Sequence, residues 1–212
     1  MEKYLDKLRT IFDKYDADKG NKHSYEKIYE PLWEPLRNKS INILEIGTWR
    51  GQGIQAFLDY FPKAKVYGID IFTRMDPKDY PVYKDKRVKY LQHDSLDPSV
   101  AAAIKKEFGN IKFDIILDDA MHVPRANKLT FENTRQFLKK KGMYIIEDVW
   151  PIEIMTLKEM EHSWIKKKPT EYNDFQNAMF INTLENSGMK IQRFDNRADN
   201  APDSYVIVLT HE

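Results

Sequence analysis

The run IILDDAMH ends three aliphatic residues on Asp118 and Asp119 and reaches His122 three residues later; a second run, YIIEDV, ends on Glu147 and Asp148. Burying an unpaired carboxylate is costly, so acidic pairs closing two core strands need a partner. If the two strands are neighbours, four carboxylates crowd together and cannot all ionise unless a cation neutralises them. The chain has no cysteine, which excludes disulfides, thiolate metal sites and cysteine nucleophiles. Hard oxygen donors instead suit Mg2+ or Mn2+, with positions left for water or substrate. A plainer alternative has Asp119 capping a helix that begins near Pro124 while the others face solvent. A cation that binds a hydroxyl lowers its pKa, and an imidazole such as His122, whose type titrates near neutrality, suits removal of the proton.

The elements that must carry these residues alternate along the chain. Apolar runs at 41–47, 65–72, 87–94, 113–119 and 143–149 read as buried strands, and 52–61, 98–108 and 125–141 read as helices. This alternation predicts an α/β fold: a doubly wound, Rossmann-like sheet, mostly parallel, with helices on both faces. Two more strands, MKIQRFDNR and SYVIVLTHE, follow a helix around 175–188 and predict a C-terminal antiparallel hairpin, making seven strands. Helices over 1–15 and 24–37 form an N-terminal cap (1–40) on the core (41–212), read as one domain over 1–212. Ligands of such sheets bind at the carboxyl ends of the strands, and all five core strands end in acid: Glu45, Asp70, Asp94, the Asp118–Asp119 pair and the Glu147–Asp148 pair. Two aromatic segments flank that edge: 72–86, which has the proline-rich character of a lid, and 150–172, with Trp150 and Trp164.

The first strand runs into EIGTWRGQG, a glycine turn that opens a helix and can bring backbone N–H groups against a ligand. GQGIQA matches GxGxxA but starts too far from the strand end for a dinucleotide fingerprint, which leaves an NAD-dependent oxidoreductase as the weaker alternative. The spacing Glu45-x-Gly47-x-x-x-Gly51-x-Gly53 resembles motif I of class I S-adenosylmethionine (SAM) dependent methyltransferases. That resemblance implies SAM as cofactor, held by Glu45, Gly47, Thr48, Gly51 and Gly53. It further implies Asp70 at the ribose, His93, Asp94 and Ser95 around the adenine, and Ile71 and Asp118 as further cofactor-binding residues.

DDAMH followed by YIIEDV is more specific. With the N-terminal ADKGNKHSYEKIYEPLW, it resembles the metal-dependent sugar O-methyltransferases of the mycinamicin and tylosin type, with Met121 where a serine is frequent. The resemblance implies Asp119, Glu147 and Asp148 as ligands of Mg2+ or Mn2+, and His122 with Asp119 as the catalytic pair. It also implies a sugar hydroxyl of a small molecule or glycan as acceptor; a catechol-like diol would use the same metal logic. Asp18, Lys19 and His23 in the N-terminal segment either close over the ligand or sit in an exposed turn.

A formal net charge of +1 offers no field toward nucleic acid or an anionic membrane, so neither is expected as a partner. The opening MEKYLDKLRT lacks the apolar centre of a signal peptide, and no apolar run reaches the length of a membrane span. The expectation is a cytoplasmic enzyme, with a homo-oligomer left open.

Overall fold

The structure is a computed structural model and describes residues 6–211. Seven strands, β1 (Asn42–Ile46), β2 (Lys65–Asp70), β3 (Val88–Gln92), β4 (Phe113–Asp118), β5 (Leu138–Ile146), β6 (Lys190–Asp195) and β7 (Tyr205–Thr210), form one sheet. Their order is β3-β2-β1-β4-β5-β7-β6, parallel from β3 to β5, with β7 antiparallel between β5 and β6. The seven-stranded, Rossmann-like arrangement expected from the alternation is the one observed. The chain reverses direction across the sheet between β1 and β4, and this switch point is where the fold opens a crevice.

Among the described residues the helices are α1 (Asp6–Lys14), α2 (Asp18–Asn21), α3 (Glu26–Trp33), α4 (Gln52–Tyr60), α5 (Val100–Phe108), α6 (Pro124–Thr134), α7 (Leu157–Met160), α8 (Ser163–Lys166) and α9 (Asp174–Glu185). Successive strand residues point to opposite faces, and the two cores follow this rule. Ile43, Val66, Ile115, Leu117 and Ile145 share one core with Leu8, Phe12, Tyr29, Trp33, Ile54 and Phe57 of α1, α3 and α4. Leu44, Ile46, Ile69, Ile116 and Ile146 share the other with residues of α5, α6 and α9, Val100, Phe131 and Phe180 among them. We call these the cap face and the α6 face.

Several expectations change. The helix expected over 125–141 ends at Thr134, passes through a 3-10 turn (Arg135–Phe137), and gives way to β5 at Leu138. Leu138 pairs with Phe113 and Met143 with Ile115, so the KKKG run is a bulge on the strand rather than a helix end. Gly142 lies where a Cβ would sit 2.9 Å from the Asp114 carbonyl, a close approach that suits glycine. The helix expected over 1–15 starts outside the described residues, and the one over 24–37 is α3 followed by a 3-10 turn (Glu34–Leu36). The segment 72–86 is not a free lid: Val82 and Tyr83 are buried in the cap-face core. Trp150 is likewise committed to packing, in a small core with Val123, Ile152, Ile165 and Tyr172. Trp164 is half-exposed and donates its indole N–H to the Tyr172 hydroxyl at 2.7 Å. No helix among the described residues is long and apolar enough to cross a membrane.

Candidate active site

Strand periodicity sorts the acidic strand ends before any ligand does. Leu117 points to the cap face, so Asp119 follows it there, and Ile145 does the same for Glu147; Glu45 continues from Ile43. Asp118 follows Ile116 to the α6 face, where it is buried and accepts a hydrogen bond from Asn127 Nδ2 at 3.2 Å. The expected crowd of four is therefore corrected. Asp118 leaves it, Glu45 joins it, and burial pushes the isolated Asp118 carboxyl up to about 7. Asp119 does not cap α6 either, because that helix has Val123 at its N-cap and no side-chain cap.

The turns after β1, β2, β4 and β5 each hold a non-glycine residue in the left-handed region: Trp49 (φ 46°), Phe72 (φ 49°), His122 (φ 55°) and Asp148 (φ 51°). Such backbones cost about 1–3 kcal/mol each and cluster where a site fixes its side chains. At Asp148 the twist turns a residue that strand alternation would send to the α6 face back toward the cap. Its Oδ1 accepts from the Tyr25 hydroxyl at 2.6 Å, and its Oδ2 stands 3.4 Å from His23 Nε2.

One side of the site is built from backbone. Gly47 has φ +84°, and a Cβ there would fall 2.1 Å from the Asp119 carbonyl oxygen, so the β1 and β4 turns touch at a point only glycine permits. A Cβ on Gly53 would fall 2.1 Å from Glu45 Oε1, which seats that carboxylate against the first turn of α4. Asp70 ends β2 with Oδ2 accepting from the Trp49 N–H (3.0 Å) and Oδ1 from the Phe72 N–H (2.9 Å). Each oxygen keeps a lone pair for a ligand. The Tyr83 hydroxyl donates to Thr48 Oγ1 (2.8 Å) and lies 2.9 Å from the Trp49 carbonyl, so the 72–86 segment braces the glycine turn from behind.

The other side is built from buried charge. Lys19, only 3% exposed, places Nζ 2.5 Å from Asp119 Oδ2, 2.5 Å from Glu147 Oε2 and 3.8 Å from Glu45 Oε1. Tyr29 donates its hydroxyl to Glu147 Oε1. Tyr25, Tyr29 and Trp33, at i, i+4 spacing, present one face of α3 to this cluster, with the Tyr29 and Trp33 rings stacked at 4.2 Å. Burial raises the Glu45, Glu147 and Asp148 carboxyls well above the carboxylate range, although Lys19 pulls the first two back. Burial also lowers the Lys19 pKa, but Asp119, Glu147 and Glu45 outweigh it and hold the ammonium charged. The exposed-turn reading of Lys19 is thereby excluded. His23, also buried, is pushed down to about 3 chiefly by desolvation, so its imidazole is neutral.

Both sides open on one cavity of about 400 Å³. Of the residues expected at a cofactor, Glu45, Gly47, Thr48, Gly53 and Asp70 line it, together with Lys19, Asp119 and His122. Gly51 lies just behind, against Val82. Ile71 is half-exposed, Ser95 hydrogen-bonds Thr130 (3.0 Å), Asp94 accepts from the Leu96 N–H (2.9 Å), and His93 contacts the Asp94 carbonyl (2.9 Å); none of these four lines the cavity. Asp119, His122 and Asp148 each offer a ligand atom within 4.8 Å of the others'. His122 Nε2 is 3.6 Å from Asp119 Oδ1, while its buried Nδ1 has no hydrogen-bond partner. Oxygen donors around such a gap, with an imidazole beside them, fit a hard divalent cation. The roles of Tyr25, Tyr29 and Tyr83 are visible only in three dimensions; the i, i+4 spacing of the first two was the available signal.

The chain is 27% identical over 151 residues to mycinamicin VI 2''-O-methyltransferase of Micromonospora griseorubida, covering 68% of this chain and 36% of that protein. It is 29% identical over 159 residues to L-olivosyl-oleandolide 3-O-methyltransferase of Streptomyces antibioticus, covering 69% and 38%. The chain thus spans little more than a third of the length of the curated relatives it matches. The fold is similar to that of the MycE methyltransferase of mycinamycin biosynthesis, solved with Mg and SAH, with a TM-score of 0.69, 20% identity, and coverage of 96% of this chain and 54% of that one. With residues 5–192 matching the model of the FtsJ-like methyltransferases, the chain belongs to that family.

Proposed function

We propose that this protein is a SAM-dependent O-methyltransferase that acts on a sugar hydroxyl with the help of Mg2+ or Mn2+. The observation that carries the reading is the convergence of a glycine turn, the strand-end Asp70 and an imidazole–carboxylate pair on one cavity. The relatives support it, since they are named as O-methyltransferases, two of them of compounds that carry an L-olivosyl or an alpha-L-rhamnosyl group.

SAM supplies the methyl group on a sulfonium, and a divalent ion, when bound, lowers the pKa of the acceptor hydroxyl. The chain's residues do the rest. Asp70 would accept hydrogen bonds from the ribose diol, and Glu45, seated against Gly53 at the first turn of α4, lines the same cavity. Asp119, Glu147 and Asp148 would hold the ion, Glu147 from between Lys19 and Tyr29. His122 takes the hydroxyl proton at Nε2, the nitrogen that faces Asp119. With that proton held at His122, the cavity would position the acceptor oxygen for transfer of the methyl group from SAM.

The test is a methyl-transfer screen over sugars, glycosylated metabolites and glycans, with and without chelator, reading SAH formation. We expect turnover on a sugar with vicinal hydroxyls, loss on chelation, recovery with Mg2+, and SAM binding that survives chelation. Full turnover in excess chelator removes the metal from the mechanism. Binding of NAD instead of SAM removes the whole reading.

A further inference from the structure

We propose that Tyr172 is the positioning residue of His122: its hydroxyl holds the stretch of backbone that aims the imidazole at the reacting hydroxyl. The inference rests on the reading of His122 as the base and goes beyond it, assigning a role to a residue 50 positions away that does not line the cavity.

A histidine base is ordinarily oriented by a hydrogen bond to its second ring nitrogen. His122 has no such bond among the described residues. Its Nε2 faces Asp119 Oδ1 at 3.6 Å, and its Nδ1 is buried without a hydrogen-bond partner. The direction of the ring must therefore come from the main chain. That main chain is left-handed at His122, with φ 55°, a conformation that the surrounding structure has to impose on a residue other than glycine. The turn is fixed at both ends. Before His122, the Asp119 N–H donates to the Ile46 carbonyl at 2.9 Å. After it, Val123 is buried in the small core with Trp150, Ile152, Ile165 and Tyr172. Between these anchors the Tyr172 hydroxyl donates to the His122 carbonyl at 3.0 Å.

The hydroxyl is itself aimed. It accepts the Trp164 indole N–H at 2.7 Å, and it has a single proton to give, which goes to the His122 carbonyl. Trp164 and Tyr172 stand in a segment that braces itself: the Trp164 backbone N–H donates to His162 Nδ1 at 3.3 Å, and the Tyr172 N–H to the Lys168 carbonyl at 3.0 Å. The Tyr172 ring is buried and meets Trp150 edge-on, with centroids 6.0 Å apart. Packing thus belongs to the ring and positioning to the oxygen, and Tyr172→Phe separates the two.

The experiment compares the parent, Tyr172→Phe, Trp164→Phe, His122→Gln and the double variant Tyr172→Phe with His122→Gln, all as full chains. It reads kcat and KM on the acceptor found in the screen, SAM affinity by calorimetry, and the His122 ring C–H resonance by NMR, assigned by its loss in His122→Gln. Tyr172→Phe should lower kcat by about tenfold or more, the scale of a slightly misplaced reacting group, and leave SAM affinity within roughly twofold of parental. The His122 resonance should shift or broaden while those of His23 and His93 stay in place. In the His122→Gln background the same change should cost nothing further. Trp164→Phe, which leaves the hydroxyl present but no longer aimed, should move the resonance by less. An unmoved His122 resonance overturns the inference, and so does an equal loss of kcat in both backgrounds, which is what a purely structural role would give. Should Tyr172→Phe not fold, Trp164→Phe decides by the same resonance. If His122→Gln keeps the parental rate, the reading of His122 as the base fails, and the resonance alone then decides whether Tyr172 positions that imidazole.

Discussion

The two sides of the cavity solve the same problem with different materials. The side formed by the β1 and β2 turns is made of backbone: Gly47 and Gly53 at close approaches, and Asp70 spent on two main-chain N–H groups. The side formed by the β4 and β5 turns is made of buried carboxyl side chains engaged from the cap by the Lys19 ammonium and the Tyr25 and Tyr29 hydroxyls. Backbone recognition is more local, so its parts fall within the single strand–helix–strand stretch 47–72. Charge balance in a dry interior is long-range, so its parts come from opposite ends of the chain. Damage to the first side should weaken the cofactor alone. Damage to the second should change chemistry, metal and pH response.

The largest effect should come from the reacting end of the charged side. His122→Gln should lower kcat by about 10²–10⁴, the usual range for losing a general base, while SAM affinity measured by calorimetry stays near parental. Parental turnover in this variant would leave the base unassigned.

Next comes the pH response. The folded-state pKa of Asp118 is raised to about 7 by burial, above its unfolded value, so the native state holds the proton more tightly. Its contribution to stability is fully present below the unfolded value, near 4, and is lost as pH rises through about 7. At about 1.4 kcal/mol per pKa unit, the loss amounts to at most about 4 kcal/mol. Asp118→Asn cannot titrate, so denaturant melts between pH 4 and 8 should show a flatter stability profile than the parent's. Identical profiles would rule out Asp118 as the titrating group.

On the backbone side, Gly47→Ala combines a left-handed φ with a Cβ only 2.1 Å from the Asp119 carbonyl. It should lower stability by about 2 kcal/mol or more and loosen SAM binding with it. The smallest effect is the most selective: Asp70→Ala should weaken SAM at least tenfold, about 1.4 kcal/mol, and leave Mn2+ binding untouched. If Asp70→Ala also lost Mn2+, the two sides would not be separable.

Much of this was legible in the sequence, and the limits have physical reasons. Strand–helix alternation and the acidic strand ends report local hydrophobic patterning, which survives into the sheet order. Asp118 was misplaced because acidic residues were counted rather than assigned to faces, although the period of two already sends Asp118 and Asp119 apart. The α6 helix was drawn through Leu138 because lysine favours helix; pairing of Leu138 with Phe113 overrides that preference. For Lys19 the sequence leaves burial and exposure evenly balanced, because no local pattern reveals a partner 100 residues away.

That separation also bears on the order in which the molecule assembles. Lys19 meets Asp119 and Glu147 across 100 and 128 residues, contacts that cannot form until β4 and β5 lie side by side. Before then α2 is a four-residue helix without a side-chain cap, far below the length that holds on its own in water. Long-range contacts of this kind form late. The α2–α3 segment should therefore be among the last to gain protection from hydrogen exchange during refolding, and the cavity should close only when it does.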